Sequence, residues 1–187
     1  MYIRPARKTD AQDALPLIYQ VISGFSGTLL GSRTEQEFHE VIADFFQAEN
    51  NRFSYQNYLV AEVGQRVAGL LLLYHGRDAE VLDRPILEHA RRVKNNPTFR
   101  LDKEADEDEW YIDTLSVSPD YAGQGIGTAL MKAAEEQVRQ RQDRKLALLV
   151  EEENTRAHRL YQHLGYKEDK KTMLYGISLL HMVKFLA

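Results

Sequence analysis

Apolar positions change period along this chain, and each change marks an element. Phe38, Val41, Ile42, Phe45 and Phe46 recur at three- and four-residue steps, which predicts a helix over Thr34–Glu49. Asp10–Val21 reads as an earlier helix, with Thr9 or Asp10 placed to cap it. Between them "SGFSGTLLGS" carries three glycines and predicts a loop. Asn57–Val63 and Arg66–Tyr74 are apolar runs separated by Gly64-Gln65, which predicts a hairpin. A polar stretch, Gly76–Glu109, holds a possible helix over Arg84–Lys94. Trp110–Val117 reads as a strand. After a glycine-rich turn, Ile126, Leu130, Ala134 and Val138 recur every four residues and predict a helix to about Gln142. Lys145–Val150 is an unbroken apolar run, hence a buried strand, and Asn154–Leu164 is a capped helix. Tyr2–Arg4 begins the order with a short strand, and Lys167–Leu186 ends it with two more. No repeat or low-complexity linker interrupts the order. The expectation is one α+β domain over 1–187, with an insertion at about 76–109.

Composition narrows the function classes. The 187 residues carry a net charge of -4, so there is no global attraction to nucleic acid, and none is expected as a partner. The absence of cysteine excludes a disulfide framework, a thiolate metal site and a cysteine nucleophile, and fits a cytoplasmic setting. The charged N-terminus predicts no signal peptide, and the longest apolar run, Val67–Tyr74, is too short to cross a bilayer, so no membrane association is expected. Gly24-Phe25-Ser26-Gly27 lacks the spacing of a serine nucleophile elbow.

"YAGQGIG", residues Tyr121–Gly127, places glycine at 123, 125 and 127, between a strand and an amphipathic helix. A helix start offers unpaired backbone N–H groups and the positive end of the dipole, and missing side chains let an anion reach them. Turn-forming glycines in a plain loop are the alternative. The P-loop pattern fails, because no Gly-Lys-Ser/Thr is present. The dinucleotide fingerprint fails too, since its third glycine falls on Thr128 or Leu130. Glu151, at the end of the next strand, could still imitate a ribose-binding acid. A second stretch, "NTRAHRLYQHLGY", opens with Asn154, carries Ala157, Leu160, Tyr161 and Leu164 on one face, and stops at Gly165.

Together, "LSVSPDYAGQGIGTALM" and "NTRAHRLYQHLGY", with the spacing between them, closely resemble the GCN5-related N-acetyltransferase (GNAT) family. The likeness is most specific from Trp110 to Tyr166. The family pattern opens with Arg or Gln where this chain has Ala122; Gly125 and Gly127 match it. The resemblance implies a mixed, mostly antiparallel sheet with helices on both faces and a splayed central parallel strand pair. It implies acetyl transfer from acetyl-coenzyme A to an amine by direct attack, without a metal. Leu115, Ser116 and Val117 would meet the pantetheine arm, with a backbone N–H near Val117 as an oxyanion donor. The pyrophosphate would lie over Gly123, Gln124, Gly125, Ile126, Gly127 and Thr128. Asn154 would contact the cofactor, and Tyr161 would protonate the departing sulfur.

The acceptor's base is open at this stage. Some relatives use a strand glutamate where this chain has Leu149. Asp113, with the parity of Leu115, and Glu151, two residues beyond Leu149, are the candidates. His158 and His163 do not share a helix face, and the other histidines are scattered, so no metal site is expected. Six of the eight residues Asp102–Glu109 are acidic, which reads as a solvated loop or as a cation-attracting lip. A small or peptide amine is the expected acceptor, and a monomer or homodimer the expected assembly. A non-catalytic acyl-coenzyme A sensor is the rival function.

Overall fold

The computed structural model of the protein describes residues Met1–Ala187. Its strands are β1 (Tyr2–Pro5), β2 (Tyr58–Val63), β3 (Arg66–His75), β4 (Trp110–Val117), β5 (Lys145–Glu151), β6 (Lys167–Leu174) and β7 (Ile177–Phe185). They form one sheet in the order β1-β2-β3-β4-β5-β7-β6. Every neighbouring pair is antiparallel except β4 and β5. A mixed sheet of this order is not a dinucleotide-binding fold, and that reading falls.

Helices cover both faces. On one side α1 (Ala11–Ile22) and α3 (Glu35–Gln47) bury Ile18, Phe38 and Phe46 against Leu70 and Leu72. On the other, α5 (Ile126–Gln140) buries Ile126, Leu130 and Met131 against Leu71 and Leu73, and Tyr161 of α6 (Thr155–His163) joins the same cluster. Successive residues of β3 therefore meet opposite cores. This explains a strand apolar at nearly every position rather than at alternate ones. Gly69 seats the start of α5, because a Cβ there would lie 2.9 Å from Ile126 Cγ2 and 2.9 Å from the Ser116 carbonyl oxygen.

Two irregularities in β4 shape the site. It pairs with β5 only at Trp110–Leu146, Tyr111–Ala147 and Ile112–Leu148. Beyond these, β4 continues along β3 to Val117 while β5 continues along β7 to Glu151, so the two strands part. Leu72 opposes Thr114 and Leu73 opposes Ile112, which leaves Asp113 as the extra residue of a bulge.

Two local expectations change. The "SGFSGTLLGS" stretch is not a plain loop: it holds a 3-10 turn (Ser23–Phe25) and the single-turn helix α2 (Ser26–Leu29). The Ser26 hydroxyl donates to the Ser23 carbonyl at 2.8 Å, closing the turn. Helix α4 spans Ala79–Val93 and so begins five residues before Arg84, with Pro85 inside it. Its first turn grows out of a 3-10 turn at Gly76–Asp78, which has no apolar period to betray it. No helix is long and apolar enough to cross a membrane.

Candidate active site

The glycine turn ends in an exposed helix start. Gly125 is the N-cap of α5 with φ 77°, and Gly123 also has φ 77°. Both sit in the left-handed region that glycine alone adopts cheaply. A Cβ at either would meet nothing within 4 Å, so backbone conformation, not crowding inside the protein, requires glycine here. The first helical hydrogen bond runs from Ala129 N–H to Gly125 C=O. No side chain caps α5, and no acidic residue lies in its first turn. By contrast, Thr34 caps α3 and Asn154 caps α6. The start of α5 thus presents free N–H groups and an uncompensated dipole to open space, which suits a pyrophosphate.

The gap between β4 and β5 also offers free backbone. Ser118 N–H donates to Ala68 C=O at 2.8 Å, towards β3. By alternation, Ser116 points its backbone groups the same way, and Leu115 and Val117 point theirs into the gap. A cavity of about 390 Å³ lies there, lined by Leu115 and Ile112 on one side and Leu148, Leu149, Val150 and Glu151 on the other. Asn154 and Tyr161 line it from α6, and Phe25 and Leu29 from the α2 region. The Asn154 side-chain oxygen accepts the Ala157 N–H at 3.2 Å, which leaves its NH₂ group available. Burial alone pushes the Tyr161 phenol up to about 12, so it stays protonated at neutral pH.

Asp113 lines the same cavity as Leu115, as parity predicts. The bulge gives it different company. Its Oδ2 receives the Arg52 guanidinium at 3.3 Å and the Tyr74 hydroxyl at 3.5 Å, and its Oδ1 receives the Thr114 hydroxyl at 2.9 Å. Arg52 is buried and forks to three acids. Its Nε and Nη2 hold Asp83 at 2.6 and 2.8 Å, and its Nη1 holds Glu104 as well as Asp113. Three carboxylates thus share one guanidinium. Burial and the neighbouring Glu104 push the Asp113 carboxyl up to about 7, against the pull of Arg52 and of the Thr114 hydroxyl. Such a carboxyl gains and loses a proton in the physiological range. Glu151 is exposed at the cavity wall.

The acidic stretch is a loop with Asp102, Glu107 and Asp108 exposed, pinned to its surroundings by ion pairs and hydrogen bonds rather than standing as an open lip. Asp102 accepts the Tyr175 N–H at 2.6 Å, Asp106 binds Lys170 at 2.6 Å, and Asp108 binds Lys145 at 2.7 Å. Glu109 is fully buried against His181 (3.0 Å) and Lys145 (3.2 Å). Asp106, Glu109 and His181 converge within 4.8 Å, a spacing a cation could use. The ammonium groups of Lys145 and Lys170 already neutralise those carboxylates. Glu104 alone turns into the cavity. Sequence reasoning missed Arg52, Asp83 and Tyr175. Nothing local distinguishes them, and only the run of acids before β4 hinted at Glu104.

A sheet that splays at a central parallel pair, beside an uncapped helix start, with a buried acid and a buried phenol lining one cavity, defines an acyltransferase. The model of the acetyltransferase (GNAT) family matches residues 19–166, and the chain belongs to that family. Among solved structures it is similar to an acetyltransferase at 27% identity and a TM-score of 0.83, with both chains covered in full. It is also similar to an N-acetyltransferase from Staphylococcus aureus Mu50 at 26% identity and a TM-score of 0.79, over 98% of this chain and 100% of that one. A ribosomal-protein-alanine N-acetyltransferase from Brucella melitensis shares the fold at 18% identity and a TM-score of 0.63, with both chains covered in full. No curated protein sequence matches this chain.

Proposed function

We propose that the protein moves an acetyl group from acetyl-coenzyme A to an amine, with Asp113 as the base and Tyr161 as the acid. The observation that carries this is the cavity in the β4–β5 splay, which Asp113 and Tyr161 line together. The start of α5 and the free backbone of Leu115 and Val117 suit the pyrophosphate and the pantetheine arm. In the reaction the acceptor nitrogen bonds to the acetyl carbonyl carbon and the carbon–sulfur bond breaks. The Asp113 carboxylate takes one proton from the acceptor ammonium, directly or through water, and frees the amine to attack; the sulfur takes the Tyr161 proton, and the phenolate regains one from the acylated nitrogen through water. A β4 backbone N–H facing the gap stabilises the developing oxyanion, an effect of about 3–4 kcal/mol in other acyl-transfer sites. Asp113 suits the base role because its carboxyl, near 7, is both available as carboxylate and able to hold a proton. Glu151, exposed, fits a supporting role at the cavity wall.

Thiol release from acetyl-coenzyme A across an amine panel tests the reading. Turnover that needs both acetyl-coenzyme A and an amine supports it. Tight coenzyme A binding in calorimetry with no turnover of any amine would replace it with the sensor reading.

A further inference from the structure

The cavity's charge is lopsided. Arg52 is the only cationic side chain among its lining residues, against Glu104, Asp113 and Glu151. That one guanidinium is already committed outside the cavity, because two of its nitrogens hold both oxygens of Asp83. The remaining nitrogen is divided between Glu104 and Asp113. The side chains of Arg52, Asp113 and Glu104 are 3%, 5% and 10% exposed, so solvent does little to spread the excess negative charge. On the cavity side the other polar groups against the cluster are neutral hydroxyls: Tyr58, Tyr74, Tyr111, Thr114 and Tyr175. On the outer side Asp83 and Glu104 also line a second cavity with Arg77, Arg84, Arg91, Arg100 and Lys103, yet the ion pairs of both carboxylates run to Arg52. Two of them, the hydroxyls of Tyr58 and Tyr175, are buried without a hydrogen-bond partner, and Tyr175 lines the cavity. A buried acceptor oxygen without a donor is an unmet demand, and an ammonium, which only donates, would meet it.

We propose that the acceptor is an aliphatic diamine: one nitrogen takes the acetyl group while a second, cationic nitrogen pairs with Glu104. This rests on the acetyl-transfer reading above. The reacting nitrogen cannot compensate the cluster by itself. It arrives as an ammonium opposite ionised Asp113, where three carboxylates face two cations. It then gives its proton to Asp113, which leaves two carboxylates facing Arg52 alone. At both stages one carboxylate of the cluster is left without an ion-pair partner of its own, and Glu104, 10% exposed and turned into the cavity, is where a further cation would pair. A second cation on the acceptor supplies that partner before and after the proton moves. The faces of Phe25, Phe53, Tyr111 and Tyr175, all lining the cavity, suit a methylene chain with a cationic end.

The test compares three acceptors of one chain length: α,ω-diaminobutane, n-butylamine and γ-aminobutyrate, with cationic, neutral and anionic tails. Thiol release is measured for each with the wild-type chain and with Glu104→Gln. The proposal expects the diamine to exceed n-butylamine in kcat/KM by at least about tenfold, beyond the doubling from its two equivalent nitrogens, and γ-aminobutyrate to be the poorest. A tenfold ratio corresponds to about 1.4 kcal/mol. Glu104→Gln should collapse the diamine's advantage, mainly through KM. Equal kcat/KM for n-butylamine and the diamine in the wild-type chain overturns the proposal, whether or not the variant folds. So does a folded Glu104→Gln variant that keeps the ratio. If no amine releases thiol, the acetyl-transfer reading fails. Titration of the diamine and of n-butylamine into the coenzyme A complex then still decides the pocket's preference: tighter diamine binding upholds it, and equal binding sinks it.

Discussion

The two sides of the β4–β5 gap are built by different means. The side proposed for the cofactor is local and made mostly of backbone: the free groups of Leu115 and Val117, the turn at Gly123–Gly125, the bare start of α5 and the Asn154 cap all fall within one contiguous stretch. The acceptor side is long-range and made of side chains. Arg52 reaches Asp83, Glu104 and Asp113 across 31, 52 and 61 positions. Backbone sites tolerate changes of side chain as long as the glycines permit the turn. A charged cluster depends on the identity of every member. One half of the gap can therefore stay constant while the other is rebuilt for a different acceptor.

The largest expected effect separates the halves. Asp113→Asn should lower kcat by about 10²–10⁴-fold, the usual range for a general base, while leaving coenzyme A affinity within about twofold in calorimetry. Its effect on stability should have the opposite sign. The Asp113 carboxyl titrates near 7 when folded and near 4 when unfolded, so the native state binds the extra proton between those values. Wild-type stability from this group is complete below about pH 4 and lost as pH rises through about 7. Asparagine carries no such loss. The variant should therefore melt above wild type at pH 8, with the gap narrowing as pH falls, a shift on the order of 1–3 kcal/mol. Parallel melting curves across that range would show that the cluster does not strain Asp113.

Next comes Tyr161→Phe, expected to lower kcat by about 10²-fold with coenzyme A affinity unchanged. The ring keeps its edge-to-face contact with Tyr166, whose centroid is 6.1 Å away, so packing survives. Turnover within about threefold of wild type, with chemistry limiting, would make Tyr161 a packing residue and route the proton to the sulfur from water.

A smaller effect probes the bare helix start. Thr128→Glu places an acid in the first turn of α5, which should stabilise the free protein through the dipole by about 0.3–1 kcal/mol and so raise its melting temperature. The same charge should weaken coenzyme A binding several-fold by repelling the pyrophosphate. A variant that gains stability and keeps full affinity would move the pyrophosphate away from α5.

The smallest effect concerns the acidic strap. His181 is buried; burial opposes its charge, but Glu109 and Asp169 outweigh this and raise it above the ordinary histidine range. A raised pKa gives stability that is full below about 6.5 and fades as pH rises through the folded value. Asp169→Asn removes one of those partners at a half-exposed site. It should cost no more than about 0.5 kcal/mol at pH 6, less at pH 9, and leave turnover unchanged. A change in acceptor KM would mean that this edge belongs to the acceptor site.

The same contrast between halves explains what could be read from the sequence. The glycines of the turn, the caps and the apolar periods act within a few residues, so the strands, the helices from Trp110 onwards and the glycine turn were legible. Asp113 was legible as a strand carboxylate of the right parity, but not as a bulge residue, because a bulge is a relation between two strands. Arg52 stands in "NNRFSY", where nothing marks it as buried beneath three acids. The acids of Asp102–Glu109 were visible as a run. Their sorting into paired surface groups, a buried Glu109 and a Glu104 turned into the cavity depended on where Lys145, Lys170, His181 and Arg52 fell in space. The one-turn α2 and the start of α4 were hidden for a simpler reason: both are too short or too polar to show a period.

A crystal structure of the protein with coenzyme A tests the central claim most directly. The account predicts the pyrophosphate over Gly123–Thr128, the pantetheine arm along Leu115–Val117 in the β4–β5 gap, and the sulfur within about 3.5 Å of the Tyr161 hydroxyl, between it and Asp113. A cofactor bound with its thiol outside that gap, or on the far side of α6 from Asp113, would contradict it.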